Sequence, residues 1–377
     1  MAATSQASAV RDGALSEIWF TRCPVPTATG LAYKLGWLDA EFARDGIQVK
    51  TLQDAPQALA RHHYDHRMPT LVREGGNLLA LAARAQGEDT RLVGLTWIED
   101  SQVILVRRDS GIATAADLAG KRLGLPTFTE HPIPEHVRGM SITRAMSLMG
   151  YKGALASAGL TFDDVELVEV NGTIGNVQGA RLGDGPIQMW AYDALAKGKI
   201  DALYVKGASS LDDAYAAGLT VGINLDKLPH PHFRVNNGTP RPITVHRRFI
   251  DEHFDYLVRF FVQTLAAADW ARENADDVRR IVAQETRGTD GAVIDGYGEA
   301  FHHSLQPELS SERIELLAQQ KKALWLHGFL ERDFDLAEWI DPRPLEEARR
   351  RLDAGLTLPA KANKGDFIGA GTADLST

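Results

Sequence analysis

Cys23 is the single cysteine of a 377-residue chain, and it stands in the run Cys23-Pro24-Val25-Pro26. The residues before it, Ser16-Glu17-Ile18-Trp19-Phe20-Thr21-Arg22, read as a short apolar strand that the prolines end. A cysteine at the carboxyl end of a strand lies where open α/β sheets place their ligands. Downstream, His63, Pro69, Arg73, Gly75 and Gly76 follow in the order H-x5-P-x3-R-x-G-G. These residue types suit nucleophilic or acid–base work on a small oxyanion. The planar fork of Arg73 matches two oxygens. A Gly75-Gly76 pair opening a helix presents backbone N–H groups to the same anion, helped by the helix dipole. A guanidinium and an imidazole nearby favour the thiolate form of a cysteine.

Each residue also has an ordinary structural reading, which stays open at this level. A lone cysteine is often a small buried hydrophobe, Arg73 can be a salt-bridge partner, and Gly75-Gly76 alone is equally a turn. His62 and His66 stand close to His63 and compete with it as the imidazole that faces the thiol. The run His62-His63-Tyr64-Asp65-His66 has no matching cysteine or carboxylate cluster, so it reads as a solvated loop and no metal site is expected. His230-Pro231-His232 and His302-His303 read as loops, and Asp163-Asp164 as a surface lead-in to a strand. Neither G-x-S-x-G nor a phosphate-binding glycine loop is found.

The elements that must position these residues alternate between strands and helices. A helix is expected over 28–44, with Leu31, Leu35, Leu38 and Phe42 at helical spacing, and a strand over 47–52. Another helix follows over 78–85, then strands over 92–98 and 102–107. A second unit begins with a short helix over 112–120 and continues through strands over 121–125, 165–170, 200–205 and 219–224. Helices over 141–149 and 191–197 lie between them. The strand Arg241–His246 returns the chain to the first unit, and from Arg247 the pattern is helical, clearest over 254–271 and 311–328. This alternation predicts an α/β protein with largely parallel sheets.

The phrase Asp109 to Gly124, D-S-x-I-x-x-A-A-D-L-A-G-K-R-L-G, resembles the crossover segment of type II periplasmic-binding-protein folds, in the nitrate/sulfonate/taurine-binding branch. Asp-Asp-Val-Glu-Leu-Val at 163–168 and Gly-Lys-Ile-Asp-Ala-Leu-Tyr at 198–204 fit the same branch. The resemblance implies two α/β lobes with a ligand cleft between them. The first lobe would be discontinuous, 1–108 with 241–377, and the second would be 109–240. Cys-Pro-Val-Pro and the histidine–arginine–glycine run are further similar to the 2'-hydroxybiphenyl-2-sulfinate desulfinases, which end sulfur-specific dibenzothiophene desulfurisation. That similarity implies Cys23 as the catalytic thiol and His63 as its partner. Arg73 and the Gly76 amide, with Gly75 beside it, would hold the sulfinate. The cysteine-to-histidine separation is longer here, which implies an inserted loop, and Lys206-Gly207 follows a second-unit strand where an aromatic clamp is expected.

The expected function is therefore hydrolytic cleavage of the C–S bond of an organic, aromatic sulfinate, releasing sulfite without a cofactor. The alternative is a solute-binding protein, or a cytoplasmic sensor, for sulfonate-type anions. A pyrimidine-precursor synthase of thiamine biosynthesis shares the fold, but its iron and cysteine-rich signatures are missing. The chain carries 41 Lys+Arg against 50 Asp+Glu, a net charge of −9, with no basic block. No phosphate-backbone partner is therefore expected. No apolar run approaches the roughly 18–20 residues that cross a bilayer, so no membrane partner is expected either. Residues 1–16 show no basic start leading into an apolar stretch, so a cytoplasmic location is expected, and the resemblance to the binding-protein fold implies a monomer.

Overall fold

The computed structural model describes residues 15–21, 25–128, 141–171, 190–207, 209–286 and 289–355. Its strands are β1 (Glu17–Phe20), β2 (Gln48–Thr51), β3 (Leu71–Glu74), β4 (Thr90–Thr96) and β5 (Gln102–Arg107). They continue with β6 (Arg122–Pro126), β7 (Glu166–Val170), β8 (Ala202–Lys206), β9 (Leu219–Asn224) and β10 (Arg241–His246). These form two five-stranded sheets, ordered β2-β1-β3-β10-β4 and β7-β6-β8-β5-β9.

Both sheets follow one plan. In the first, β1 pairs parallel with β2 and β3, while β10 runs antiparallel between β3 and β4. In the second, β6 pairs parallel with β7 and β8, while β5 runs antiparallel between β8 and β9. Four strands of each sheet thus point one way and one strand is inserted against them. The inserted strand is each time the one that has just crossed from the other sheet. The sheets are mixed rather than simply parallel, because a chain that crosses between two sheets enters the second from the opposite direction. Since β5 belongs to the second sheet, the first crossover runs through 97–101 and not after residue 108, and the return runs from the end of β9 to Arg241.

The first sheet packs Ile18, Phe20, Val72 and Val245 against the 27-residue helix Arg247–Glu273, through Leu257, Phe260, Phe261 and Leu265. The second sheet buries Ile104, Leu123, Leu203 and Tyr204 with Tyr151 and Leu155 of the helix Ile142–Ser157. A third cluster joins Leu78 and Leu81 to Leu125, Leu148 and Met149 and to Leu317 and Trp339. The two sheet-bearing units are therefore sutured by apolar contact as well as by the crossovers.

Local departures from the periodic pattern have identifiable causes. The single helix expected over 28–44 is two, Ala28–Lys34 and Trp37–Ala43, because Gly36 adopts φ +72° and breaks the ladder. The helix expected over 112–120 is only a 3-10 turn, Ala115–Leu118, closed by a capping box between Thr114 and Asp117. Asp163-Asp164, His230-Pro231-His232 and His302-His303 likewise fall in or beside 3-10 turns. No helix among the described residues is long and apolar enough to cross a membrane.

Candidate active site

The site gathers at the carboxyl ends of β1, β3 and β4. Thr21, just past β1, is buried, and its hydroxyl both accepts from the Glu74 N–H at 2.9 Å and donates to the Glu74 carbonyl at 2.8 Å. The Thr21 N–H donates to the Val72 carbonyl at 3.1 Å. This stitch holds the segment entering Cys-Pro-Val-Pro against the end of β3, where Arg73 sits. Cys23 itself, with Arg22 and Pro24, lies outside the described residues.

Arg73 is 1% exposed. Its Nε–H donates to the His63 carbonyl at 2.9 Å, and Nη1 and Nη2 both donate to the Gly76 carbonyl at 3.3 Å. The guanidinium therefore ties the short helix His62–Asp65 to the start of the helix Asn77–Gln86. Gly75 permits this fold-over, since a Cβ there would stand 2.8 Å from the guanidinium carbon and both terminal nitrogens. The Gly75 N–H donates to the Pro242 carbonyl at 3.3 Å. Of the two glycine amides expected to meet an anion, the Gly75 amide is thus spent on β10. The Gly76 N–H has no hydrogen-bond partner among the described residues.

Gly76 caps the helix with extended backbone, and a Cβ on it would lie 2.3 Å from the Asn237 side-chain oxygen. That oxygen accepts from the Leu78 N–H at 3.1 Å, supplying the cap a glycine lacks. Asn77, fully buried, donates to the carbonyls of Asn236 and Pro240 at 2.7 and 2.9 Å and accepts from Gln320 at 3.1 Å. The helix start is consequently clamped by the second crossover.

Three imidazoles lie close in sequence, and the structure separates them. His62 Nδ1 is 2.7 Å from Asp65 Oδ1 and is committed to it. His66 is buried at the left-handed end of the same short helix, with φ +58°. His63 feels the charges of Arg73 and Arg241, and burial first, then those two cations, holds its pKa well below the usual imidazole range. Its Nδ1 is buried without a hydrogen-bond partner among the described residues. His63 is therefore neutral at neutral pH, the state in which an imidazole can accept a proton.

Two further groups complete the pocket, and sequence reading missed both. Glu74, the unassigned position in R-x-G-G, is 2% exposed and accepts from the Thr96 hydroxyl at 3.0 Å. Burial raises its pKa, opposed by the charge of Arg241 and the bond from Thr96. Arg241 opens β10 in register with Thr96, so the two side chains share one face of the sheet. Nothing local marks either residue. Glu74 reads as an ordinary strand residue, and Arg241 reads as the start of a return strand whose neighbours are 145 and more positions away in sequence.

An apolar cavity of about 540 Å³ adjoins these elements. Pro26, which ends the Cys-Pro-Val-Pro run, lines it with Ile98, Tyr297, Phe301 and Leu305. Aromatic surface near the site thus comes from the carboxyl-terminal helical region. In the second unit, Lys206 lies instead near Asp100, with Nζ 3.3 Å from its carbonyl.

Comparison with known proteins bears directly on this arrangement. Over 372 residues the chain is 28% identical to the 2'-hydroxybiphenyl-2-sulfinate desulfinases of Rhodococcus erythropolis and Rhodococcus qingshengii, covering 91% of this chain and 95% of theirs. The chain is similar to these desulfinases along nearly its whole length. The family model described as NMT1/THI5 like matches residues 30–178. Among solved structures, a cysteine-to-serine variant of the desulfurization enzyme DSZB, in complex with biphenyl-2-sulfinic acid, superposes with a TM-score of 0.68 at 24% identity, covering 89% of this chain and 99% of that one. The sulfonate-binding protein SsuA of Methylobacillus flagellatus superposes at 0.65 with 15% identity, over 93% and 99% of the two chains. These likenesses establish the fold as that of the type II periplasmic binding proteins.

Proposed function

We propose that the protein is a desulfinase-type hydrolase that cleaves the C–S bond of an aromatic sulfinate and releases sulfite. The observation that carries this reading is the similarity to sulfinate desulfinases over 91% of the chain, with the histidine–arginine–glycine run folded around one buried guanidinium. The overall change is Ar–SO2⁻ + H2O → Ar–H + HSO3⁻. It needs no oxidant, reductant or cofactor.

In this reading Arg73 and the Gly76 N–H receive the sulfinate oxygens at the helix start. Cys23 supplies the thiol. In sequence it follows two positions after Thr21, which is bonded to Glu74 beside Arg73. Two balanced routes lead to the same products. In one, neutral His63 takes the thiol proton, and the nearby guanidiniums favour the resulting thiolate. Sγ then attacks sulfur, the C–S bond breaks, the carbon takes the proton held by His63, and water hydrolyses the Cys23–SO2⁻ adduct. In the other, the thiol keeps its proton until it delivers it to the carbon bearing sulfur. SO2 departs and water converts it to bisulfite, the proton released returning to the thiolate by way of His63. A working thiol has to stay reduced, which fits a cytoplasmic enzyme.

A second reading, a binding protein for sulfonate-type anions, draws on the superposition with the sulfonate-binding protein. Incubation with 2'-hydroxybiphenyl-2-sulfinate separates the two. Desulfinase action yields sulfite and 2-hydroxybiphenyl in equal amounts, whereas binding of sulfonates with no sulfite from any aryl sulfinate identifies the carrier.

A further inference from the structure

A guanidinium that is buried without a partner calls for an explanation, because an uncompensated charge in a protein interior is costly. Arg241 is such a group. It is 8% exposed, and its Nε and Nη1 are buried with no hydrogen-bond partner among the described residues. No carboxylate among those residues lies within ion-pair distance of it, although 28 ion pairs of the described chain, many of them on the surface, are closed at 4.0 Å or less.

Its position is equally specific. Arg241 stands opposite Thr96 in the β10–β4 ladder, and the Thr96 hydroxyl reaches the carboxyl of Glu74, the residue between Arg73 and Gly75. The charge of Arg241 acts on both Glu74 and His63. Its backbone next to Pro242 is anchored to the site as well, since the Pro242 carbonyl accepts from the Gly75 N–H. The Gly238 Cα lies close enough that a Cβ there would meet Nη2 at 3.4 Å, so the guanidinium lies against the second crossover. Arg73, by contrast, spends three N–H groups on the carbonyls of His63 and Gly76. Much of its donor capacity organises the loop.

We propose that Arg241 is a second substrate-binding cation, whose unmatched N–H groups receive an oxygen of the sulfinate alongside Arg73 and the Gly76 amide. The proposal rests on the sulfinate reading of the site and deepens it. Two guanidiniums converging from β3 and β10 hold a two-oxygen anion from two sides. They fix which face of sulfur meets the thiol, something one fork already tied to main chain does poorly. The competing view makes Arg241 only a structural counter-ion for Glu74.

Binding of biphenyl-2-sulfonate, an unreactive anion, to the wild-type protein and to Arg241→Gln decides between them, with neutral 2-hydroxybiphenyl as the control. Loss of charge-assisted hydrogen bonds is expected to weaken sulfonate binding roughly 10- to 100-fold and leave the phenol's affinity unchanged. On aryl sulfinate the same variant should show a raised KM. Equal sulfonate affinity in a folded Arg241→Gln protein overturns the proposal, as does a parallel loss for the phenol. If Arg241→Gln does not fold, Arg241→Lys, which keeps the charge beside Glu74 and removes the planar fork, takes its place, and wild-type affinity for the sulfonate again overturns it. Absence of turnover by the wild-type protein would defeat the desulfinase reading alone, since the sulfonate titration reads Arg241 without catalysis.

Discussion

Arg73 Nε donates to the main-chain carbonyl of His63 at 2.9 Å, so the two residues of the proposed site are coupled through backbone and not only through charge. Moving the guanidinium moves the histidine. Arg73→Lys keeps a positive charge but cannot bridge the His63 and Gly76 carbonyls together. It should lower stability by about 1.5–3 kcal/mol, the value of hydrogen bonds to a charged group. Turnover of aryl sulfinate should fall by a larger factor than thermal unfolding alone accounts for. Thermal denaturation beside steady-state kinetics checks this, and a lysine variant with wild-type kcat would contradict it.

His63 provides a pH signature. Burial and the two guanidiniums lower its folded pKa below the ordinary value of 6.5. Between those values the unfolded chain binds a proton that the folded protein refuses, so stability rises with pH across that window. Its contribution is whole above about 6.5 and is lost as the pH falls toward the folded pKa. The acid limb of kcat/KM should accordingly lie well below 6.5, and His63→Gln should remove it. An acid limb at the ordinary histidine value, or one retained in the glutamine variant, would count against a neutral His63 in the site.

How much of this was legible in the residues follows from distance along the chain. The histidine, arginine and glycine pair fall within 14 positions, and short-range spacing shows such a group. The strands β5, β9 and β10 were readable at full length, because turn residues and alternation bound them. Alternation carries no information on direction, so the insertion of β5 into the second sheet was not readable, and neither was the crossover at 97–101. Gly36 looked like one more residue of a long amphipathic helix until its left-handed conformation split that helix in two. Arg241 and Glu74 went unseen because their meaning comes from β3, β4 and β10 lying side by side.

Gly76 and Asn237 compete for the same space, and this predicts a non-additive pair. In Gly76→Ala the new methyl displaces the Asn237 amide, costing about 1 kcal/mol for the lost cap and about 1–3 kcal/mol for crowding. In the double variant Gly76→Ala/Asn237→Gly the crowding is gone. The double variant should therefore be less destabilised than the sum of the single changes, as a double-mutant cycle would reveal. Strict additivity would show that the two residues do not contact.

Asp226 sits by the first crossover, accepting from the Gln102 N–H at 3.1 and 3.2 Å. Burial is the main cause of its pKa rising from 3.8 to about 6. A carboxyl with a raised folded pKa stabilises the fold below its unfolded value, and that contribution disappears as the pH climbs through about 6. Asp226→Asn keeps an acceptor and never charges. It should raise stability at pH 8 by about 1–3 kcal/mol and change little at pH 4. Urea unfolding at both pH values tests this, with equal effects at both as the contrary outcome.

The central claim is that the Cys23 thiol, working with a buried guanidinium and a neutral imidazole, breaks a C–S bond. The most direct measurement is sulfite release from 2'-hydroxybiphenyl-2-sulfinate by the wild-type protein and by Cys23→Ser, both verified as folded. The account predicts steady release from the first and none from the second. Sulfite formed at the wild-type rate by the serine protein would contradict it.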